Sequence, residues 1–243
     1  MTVPRFYCPS GLEHQVQIRL PERTAHHAAK VLRLQPGDRV NLFDGLGGEY
    51  QASIHQLDRD GVLLDVGRHL AVERESPLSL CLAQGLASGD KMDYIVQKAV
   101  QLGVSRVQPL ATRKSVVKLN AERSERRQGH WANVVIAACE QCGRNRLPEV
   151  LPVLALADWL GRLEDVSTKL LLSPEGQIRL RALPRPTGDI LLLAGPEGGL
   201  TQQETEDAVR AGFAPVQIGP RVLRTETAGL AAVAALQALW GDF

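Results

Sequence analysis

Two adjacent segments near the end of the chain constrain its fold more than any others: LLLAGPEGGLTQQE (Leu191–Glu204) and QIGPRVLRTETAGLAA (Gln217–Ala232). Each is a short apolar run, then a loop of glycine and proline, then a helix-forming stretch. Two consecutive strand–loop–helix units set two glycine-bearing loops at the same edge of one sheet, the edge at which open α/β sheets bind ligands. The chemistry is therefore expected there.

Upstream, strands alternate with helices back to about Ser76. Asp90 is placed to cap a helix whose Met92, Ile95, Val96, Ala99 and Val100 share one face, closed by Gly103. A strand at Arg106–Leu110 follows, then a basic loop from Thr112 to Asn120. A second helix carries Trp131, Val134, Val135, Ala138, Cys139 and Cys142 at i, i+3, i+4 and i+7 spacing. Further strands are expected at Lys169–Ser173, in the LLLAG run and at VQIG, with a helix over Thr201–Ala211 and a last one through Ala228–Trp240. This alternation predicts a mostly parallel sheet covered on both faces.

From Val16 to Gln84 the pattern is different: QVQIRL, PGDRVNLF, EYQASIHQL, GVLLDV and LSLCLAQ are short runs separated by glycine and aspartate turns. They predict a small antiparallel barrel with a helical piece at Thr24–Leu34. The composition changes near Glu75, which divides the chain into domains 1–75 and 76–243. The last helix is apolar nearly all round, so either a further element or a second subunit must cover its outer face. No later chain remains to do so, which favours the subunit.

A formal net charge of +1 over 243 residues does not by itself mark a nucleic-acid protein. Its distribution is uneven. Ser105–Arg146 holds nine of the 28 Lys and Arg residues against three of the 27 acids, leaving nineteen basic and twenty-four acidic residues elsewhere. A polyanion would meet the middle of the chain, although a solvated face accounts for any one cluster. The start, MTVPRFYCPSG, lacks a signal peptide's apolar run, and the apolar stretch of the last helix is interrupted by Gln237. Four cysteines in a chain of this length are no disulfide framework. The expected setting is cytoplasmic, with no membrane and no metal.

The loop Gly195–Gly199 lacks both the G-x-G-x-x-G fingerprint and a P-loop's G-K-S/T, which disfavours a dinucleotide oxidoreductase. Pro196 removes a backbone donor and Glu197 puts a carboxylate where a pyrophosphate needs donors, so the loop suits a neutral or cationic ligand. Thr201 and Glu204 form a capping box for the next helix. In the second loop Thr225 reads as the N-cap and Glu226 complements the helix dipole. Arg221 and Arg224 oppose that dipole, so they face either an anionic partner or an ion pair with Glu197 or Glu226. Cys139 and Cys142 lie late in their helix with no second pair, which reads as core packing rather than redox or zinc chemistry. His26 and His27, with Lys30 and Arg33, form either a basic surface helix or an RNA contact.

Five segments together, HHAAKVLR, KMDYIVQKAVQLGV, CEQCGRNR, LLLAGPEGGL and IGPRVLRTETA, resemble the bacterial 16S ribosomal RNA (uracil-N3)-methyltransferases of the SPOUT superfamily. The likeness runs from Pro4 to Phe243, departing at Gln101, where the family carries Glu. It implies an N-terminal PUA-like RNA-binding β-barrel and a C-terminal SPOUT α/β domain tied in a trefoil knot. It also implies S-adenosylmethionine as cofactor, 16S rRNA or the 30S subunit as partner, and a homodimer formed through the C-terminal domain. The cofactor residues carried over are Leu172 and Ser173; Leu193, Gly195, Pro196 and Glu197; and Ile218, Gly219, Leu223, Arg224 and Glu226. Arg224 is the candidate for stabilising a uracil anion and Glu197 for accepting its proton. The candidate RNA contacts are Arg5, His27, Arg33, Lys91, Arg113, Lys114 and Arg144. A non-catalytic RNA-binding assembly factor is the alternative function.

Overall fold

The computed structural model describes residues 3–9, 11–115, 121–163, 166 and 168–243; the end of the expected basic loop, including Lys118, lies outside them. The chain divides into two compact units, one formed by Met1–Glu75 with Cys139–Leu147 and the other by Ser76–Ala138 with Pro148–Phe243.

In the first unit five strands form one sheet in the order β1-β3-β4-β5-β2, with β1 Arg5–Tyr7, β2 Gln17–Arg19, β3 Arg39–Phe43, β4 Glu49–Asp58 and β5 Gly61–Leu70. β1 pairs with β3 in parallel and the remaining pairs are antiparallel. Period-two alternation puts Val40, Leu42, Ile54, Val62 and Leu64 inward, where they pack with Phe6, Leu12 and Tyr50. The expected helix is a short α1, Glu22–His26, running into one wide π-type turn over His27–Val31.

Polar side chains tie Cys139–Leu147 into this unit, which the expected boundary at Glu75 left out. Arg5 donates to the Glu49 carboxylate, to Asn145 Oδ1 at 2.6 Å and to the Arg144 carbonyl at 3.1 Å. Arg144 Nε donates to Glu75 Oε2 at 2.9 Å, and the Tyr7 amide donates to Glu140 Oε1 at 3.0 Å. Cys139 is buried, which pushes its thiol up to about 12, so it packs rather than reacts.

The second unit is built on an eight-stranded sheet: β6 Leu80–Gly85, β7 Arg106–Ala111, β8 Glu149–Val150, β9 Leu154–Ala155, β10 Thr168–Leu172, β11 Ile178–Arg179, β12 Ile190–Ala194 and β13 Ala214–Gln217. The order is β11-β13-β10-β12-β6-β7-β8, with β9 also on β7, and the described pairs are all parallel. LSLCLAQ, expected in the barrel, is β6 in the middle of this sheet. All six β6 residues are buried, as are all five of β12, the signature of strands covered on both faces.

Among the described residues five α-helices accompany the sheet: α2 Lys91–Gln101, α3 Ala121–Cys142, α4 Leu156–Leu160, α5 Gln202–Arg210 and α6 Thr225–Trp240. α3 belongs to this unit up to Ala138. On one face Trp159 of α4 and Ala208 of α5 pack on Cys81, Ala83, Leu191 and Leu193. On the other face α6 lies against Leu82 and packs on α2. The expected inward face of α2, from Met92 to Val100, is fully buried, but Asp90 makes no side-chain cap. Gly103 closes the turn at φ +84°, where an added Cβ would lie 2.6 Å from Gln237 Nε2. Gln237 itself is buried and satisfied: it accepts from Ser76 Oγ at 2.8 Å and donates to the Leu102 carbonyl at 2.8 Å. The residue that interrupts the apolar stretch of α6 therefore anchors that helix inside the unit.

Candidate functional site

Because β10, β12 and β13 are parallel neighbours, the loops that leave them emerge at one edge of the sheet. The first runs from Leu172 to Gly176, the second from Gly195 to Leu200, and the third from Ile218 to Arg224. They enclose a cavity of about 1170 Å³. Ten of the eleven residues expected to bind a cofactor line it: Leu172, Ser173, Gly195, Pro196, Glu197, Ile218, Gly219, Leu223, Arg224 and Glu226. Leu193 does not. Its side chain points the other way along the pleat, into the core with Ala208 and Phe213.

Local chemistry shapes each loop. In the first, the Ser173 amide donates to the Val216 carbonyl at 3.0 Å, and Gln217 Nε2 reaches back to the Pro174 carbonyl at 2.9 Å. In the second, a turn closes from the Gly199 amide to the Pro196 carbonyl at 2.8 Å. The expected capping box then starts α5: Thr201 Oγ1 accepts from the Glu204 amide, and Glu204 Oε2 accepts from the Thr201 amide at 2.8 Å. Glu204 Oε1 also accepts from the Arg113 amide at 2.7 Å, which ties the loop after β7 to the same corner. In the third loop the N-cap is Arg224, not Thr225 as expected. Thr225 is the first helical residue, and its hydroxyl donates to the Gly195 carbonyl at 2.7 Å. That bond joins the second loop to the third.

The carboxylates differ in their surroundings. Glu197 loses solvation on partial burial, which raises its pKa, but the Ser88 hydroxyl and amide and the Lys91 ammonium outweigh this and hold it at about 2. Glu226 Oε2 is buried without a hydrogen-bond donor, with Lys91 Nζ 3.9 Å away. The ion pair with Lys91 offsets that carboxylate's charge. The backbone of the glycine-bearing loops supplies the carbonyl and amide groups that a heterocycle would need. Lys91 holds both acids, so Arg221 and Arg224 stand exposed on the lining, and among the described residues neither pairs with an acidic side chain.

The expected RNA contacts fall into three groups. His27, Arg33, Arg113 and Lys114 are exposed, and Lys114 Nζ also donates to the Leu200 carbonyl at 3.3 Å. Lys91 lines the cavity. Arg5 and Arg144 are corrected: their side chains are 10% and 6% exposed and are consumed by Glu49 and Glu75, so neither faces a partner.

Sequence reasoning missed a fourth segment, Gln84–Ser88. Buried Gln84 donates through Nε2 to the Gly85 and Gly195 carbonyls at 3.0 and 3.2 Å and to Thr225 Oγ1 at 3.1 Å. An added Cβ at Gly85 would sit 2.6 Å from Pro196 N and Cδ, so only glycine admits the second loop there. The available signal was that LCLAQGLASGDK is itself an apolar run, a glycine-bearing loop and a helix start.

Fold and site together define an α/β protein with a cofactor-sized cavity at the edge of a parallel sheet. An RNA methyltransferase domain model matches residues 74–237, and an RNA methyltransferase PUA domain model matches residues 20–67. The chain belongs to this RNA methyltransferase family. It is 32% identical to ribosomal RNA small subunit methyltransferase E of Buchnera aphidicola subsp. Schizaphis graminum, over 99% of this chain and 98% of that one. A solved ribosomal RNA small subunit methyltransferase E of Neisseria gonorrhoeae, bound to S-adenosylmethionine, shares 40% identity over the full length of both chains at a TM-score of 0.92. A Legionella pneumophila chain solved with the cofactor bound shares 36% identity, again over the full length of both, at a TM-score of 0.96.

Proposed function

We propose that this protein methylates N3 of a uridine in 16S rRNA, using S-adenosylmethionine held at the three-loop cavity. The observation that carries the reading is the meeting of three loops around one cavity at the edge of the parallel sheet, in a fold whose full-length neighbours were solved with that cofactor. When bound, the cofactor supplies a methyl group on a cationic sulfur. The protein's part is to bind, orient and stabilise charge. The loop backbones hold the neutral heterocycle. Arg224, exposed on the lining and unpaired with acid, stabilises the anion that uracil becomes on losing its N3 proton. A carboxylate held at about 2 is a poor match for that proton, so Glu197 is assigned to loop geometry instead and the proton is given up to solvent water.

Exposed His27 and Arg33 in the N-terminal unit and Arg113 and Lys114 in the C-terminal one are the RNA contacts of this reading, with the rRNA or the 30S subunit as substrate. A cytoplasmic setting follows from that substrate; no helix among the described residues is long and apolar enough to cross a membrane. The outer stripe of α6, Thr227, Ala231, Ala234 and Ala238, is small and partly exposed, which supports a homodimer packed there. A trefoil knot is supported by β13 lying between β10 and β11, both earlier in the chain. Their connection crosses so close to β13 that a Cβ on Gly176 would lie 2.7 Å from the Val216 carbonyl carbon.

The test is purified protein with labelled cofactor and either naked 16S rRNA or 30S subunits, followed by reverse transcription. A single stop is expected, since N3 lies on the pairing edge. Methylation at carbon 5 or at a ribose would overturn the N3 assignment. RNA binding without cofactor binding would establish the non-catalytic assembly factor in its place.

A further inference from the structure

Glu197 is held from outside its own loop. One oxygen, Oε1, takes all three donors: the Ser88 amide at 2.9 Å, the Ser88 hydroxyl at 2.6 Å and Lys91 Nζ at 3.1 Å. Ser88 lies in the loop after β6 and Lys91 is the first residue of α2, an element whose inner face is buried in the core. The anchor is thus rigid, while the segment it holds, Gly195–Gly199, has three glycines and one internal turn bond, from the Gly199 amide to the Pro196 carbonyl. The Lys91 ammonium also lies 3.9 Å from Glu226 Oε2, an ion-pair distance beyond hydrogen-bond reach. One cation therefore fixes a carboxylate in the second loop and faces another at the start of α6, across the cavity wall.

We propose that Ser88 and Lys91 are positioning residues of the methyl-donor site, latching Glu197 so that the Gly195–Gly199 loop keeps the shape the cofactor needs. The inference rests on the methyl-transfer reading for the identity of the ligand, but the latch stands on its own contacts. It also reassigns Lys91, one of the candidate RNA contacts named from the sequence. A lysine whose ammonium is spent on two internal carboxylates has little left for a phosphate. Both partners are partly solvated, with Lys91 34% and Glu197 24% exposed, so the latch is a charge-assisted hydrogen-bond cluster rather than a buried ion pair.

The test compares Ser88→Ala, Lys91→Met and Lys91→Arg with the unaltered protein in steady-state methylation, varying cofactor and rRNA separately. Losing one charge-assisted hydrogen bond that orders a loop is expected to raise KM for S-adenosylmethionine about tenfold. KM for rRNA and its salt dependence stay unchanged, and Lys91→Arg recovers most of the loss. If Lys91→Met instead raises KM for rRNA and flattens its salt dependence while leaving the cofactor KM alone, Lys91 is an RNA contact and the latch is wrong. Hydrogen exchange at the amides of residues 197–199 gives a readout independent of activity: it speeds up in Ser88→Ala and Lys91→Met if the latch exists, and unchanged exchange overturns it. Should the unaltered protein neither bind the cofactor nor methylate rRNA, the methyl-transfer reading fails while the exchange experiment still decides the latch. Ser88→Ala removes a single hydroxyl and keeps the amide donor, so it tests the cluster even where Lys91→Met does not fold.

Discussion

Replacing Gln84 by Met separates what this side chain does for stability from what it does for the site. Gln84 is fully buried and donates three hydrogen bonds, to the Gly85 and Gly195 carbonyls and to Thr225 Oγ1, while its own Oε1 is buried without a donor. The two Nε2 protons are shared among these three acceptors and each contributes about 1 kcal/mol net, so losing them costs about 2 kcal/mol. Removing the unsatisfied oxygen returns about 1–3 kcal/mol, since a buried acceptor without a partner carries that penalty in the native state. Methionine fills nearly the same volume and adds little strain. The net destabilisation is at most about 1 kcal/mol, a fall in Tm of no more than about 4 °C for a chain of this size. The site should suffer more. The Gly195 carbonyl keeps only the Thr225 hydroxyl, and the joint between β6, the second loop and α6 loosens. Calorimetric titration is expected to show S-adenosylmethionine binding about tenfold weaker, the loss of roughly one anchoring hydrogen bond. A large drop in Tm with unchanged cofactor affinity would refute the reasoning and leave Gln84 a core residue only.

Three further outcomes follow from the same contacts. Arg144→Ala strands the Glu75 carboxylate and is expected to destabilise the N-terminal unit by about 3–5 kcal/mol in urea unfolding, so any loss of RNA binding in this variant tracks unfolding rather than a lost contact. Burial raises the Glu140 pKa despite the Tyr7 amide, so the folded state favours its protonated form and the protein loses stability as pH rises through the carboxylate range. Glu140→Gln keeps an acceptor for that amide and removes the pH dependence, which makes the variant the more stable protein at pH 7 but not at pH 4. Arg113→Ala and Lys114→Ala are expected to weaken rRNA binding and to reduce the slope of log K against log salt by about one each, with cofactor binding intact.

Much of the second unit was legible in the chain itself. Continuous apolar runs such as Ile190–Ala194, set between turn residues, read as strands buried on both faces, and the spacing from Met92 to Val100 reads as one face of a helix, because local periodicity reports which side meets water. Pro196 and Glu197 likewise argued against a phosphate before any coordinates, since donors and charge are properties of residue type. The capping box at Thr201 was readable for the same reason, being a contact over three residues. The N-cap at Thr225 was misplaced by one position because the Thr225 hydroxyl is claimed by Gly195, thirty residues away.

Long-range pairing was decided only by the tertiary structure. LSLCLAQ has the length and turns of a barrel strand, and nothing local says that its partners are β12 and β7. Arg5 and Arg144 are basic residues like any others until Glu49 and Glu75 are brought beside them, after which desolvation makes them structural. Ser88 and Lys91 gain their place only when α2 is set against the Gly195–Gly199 loop, over a hundred residues further on. The sequence by itself determined the types of element and the character of the ligand, because both depend on neighbouring residues and their chemistry. Which side chains meet at the cavity and which are spent inside the core depended on contacts between distant segments, and those exist only in the folded chain.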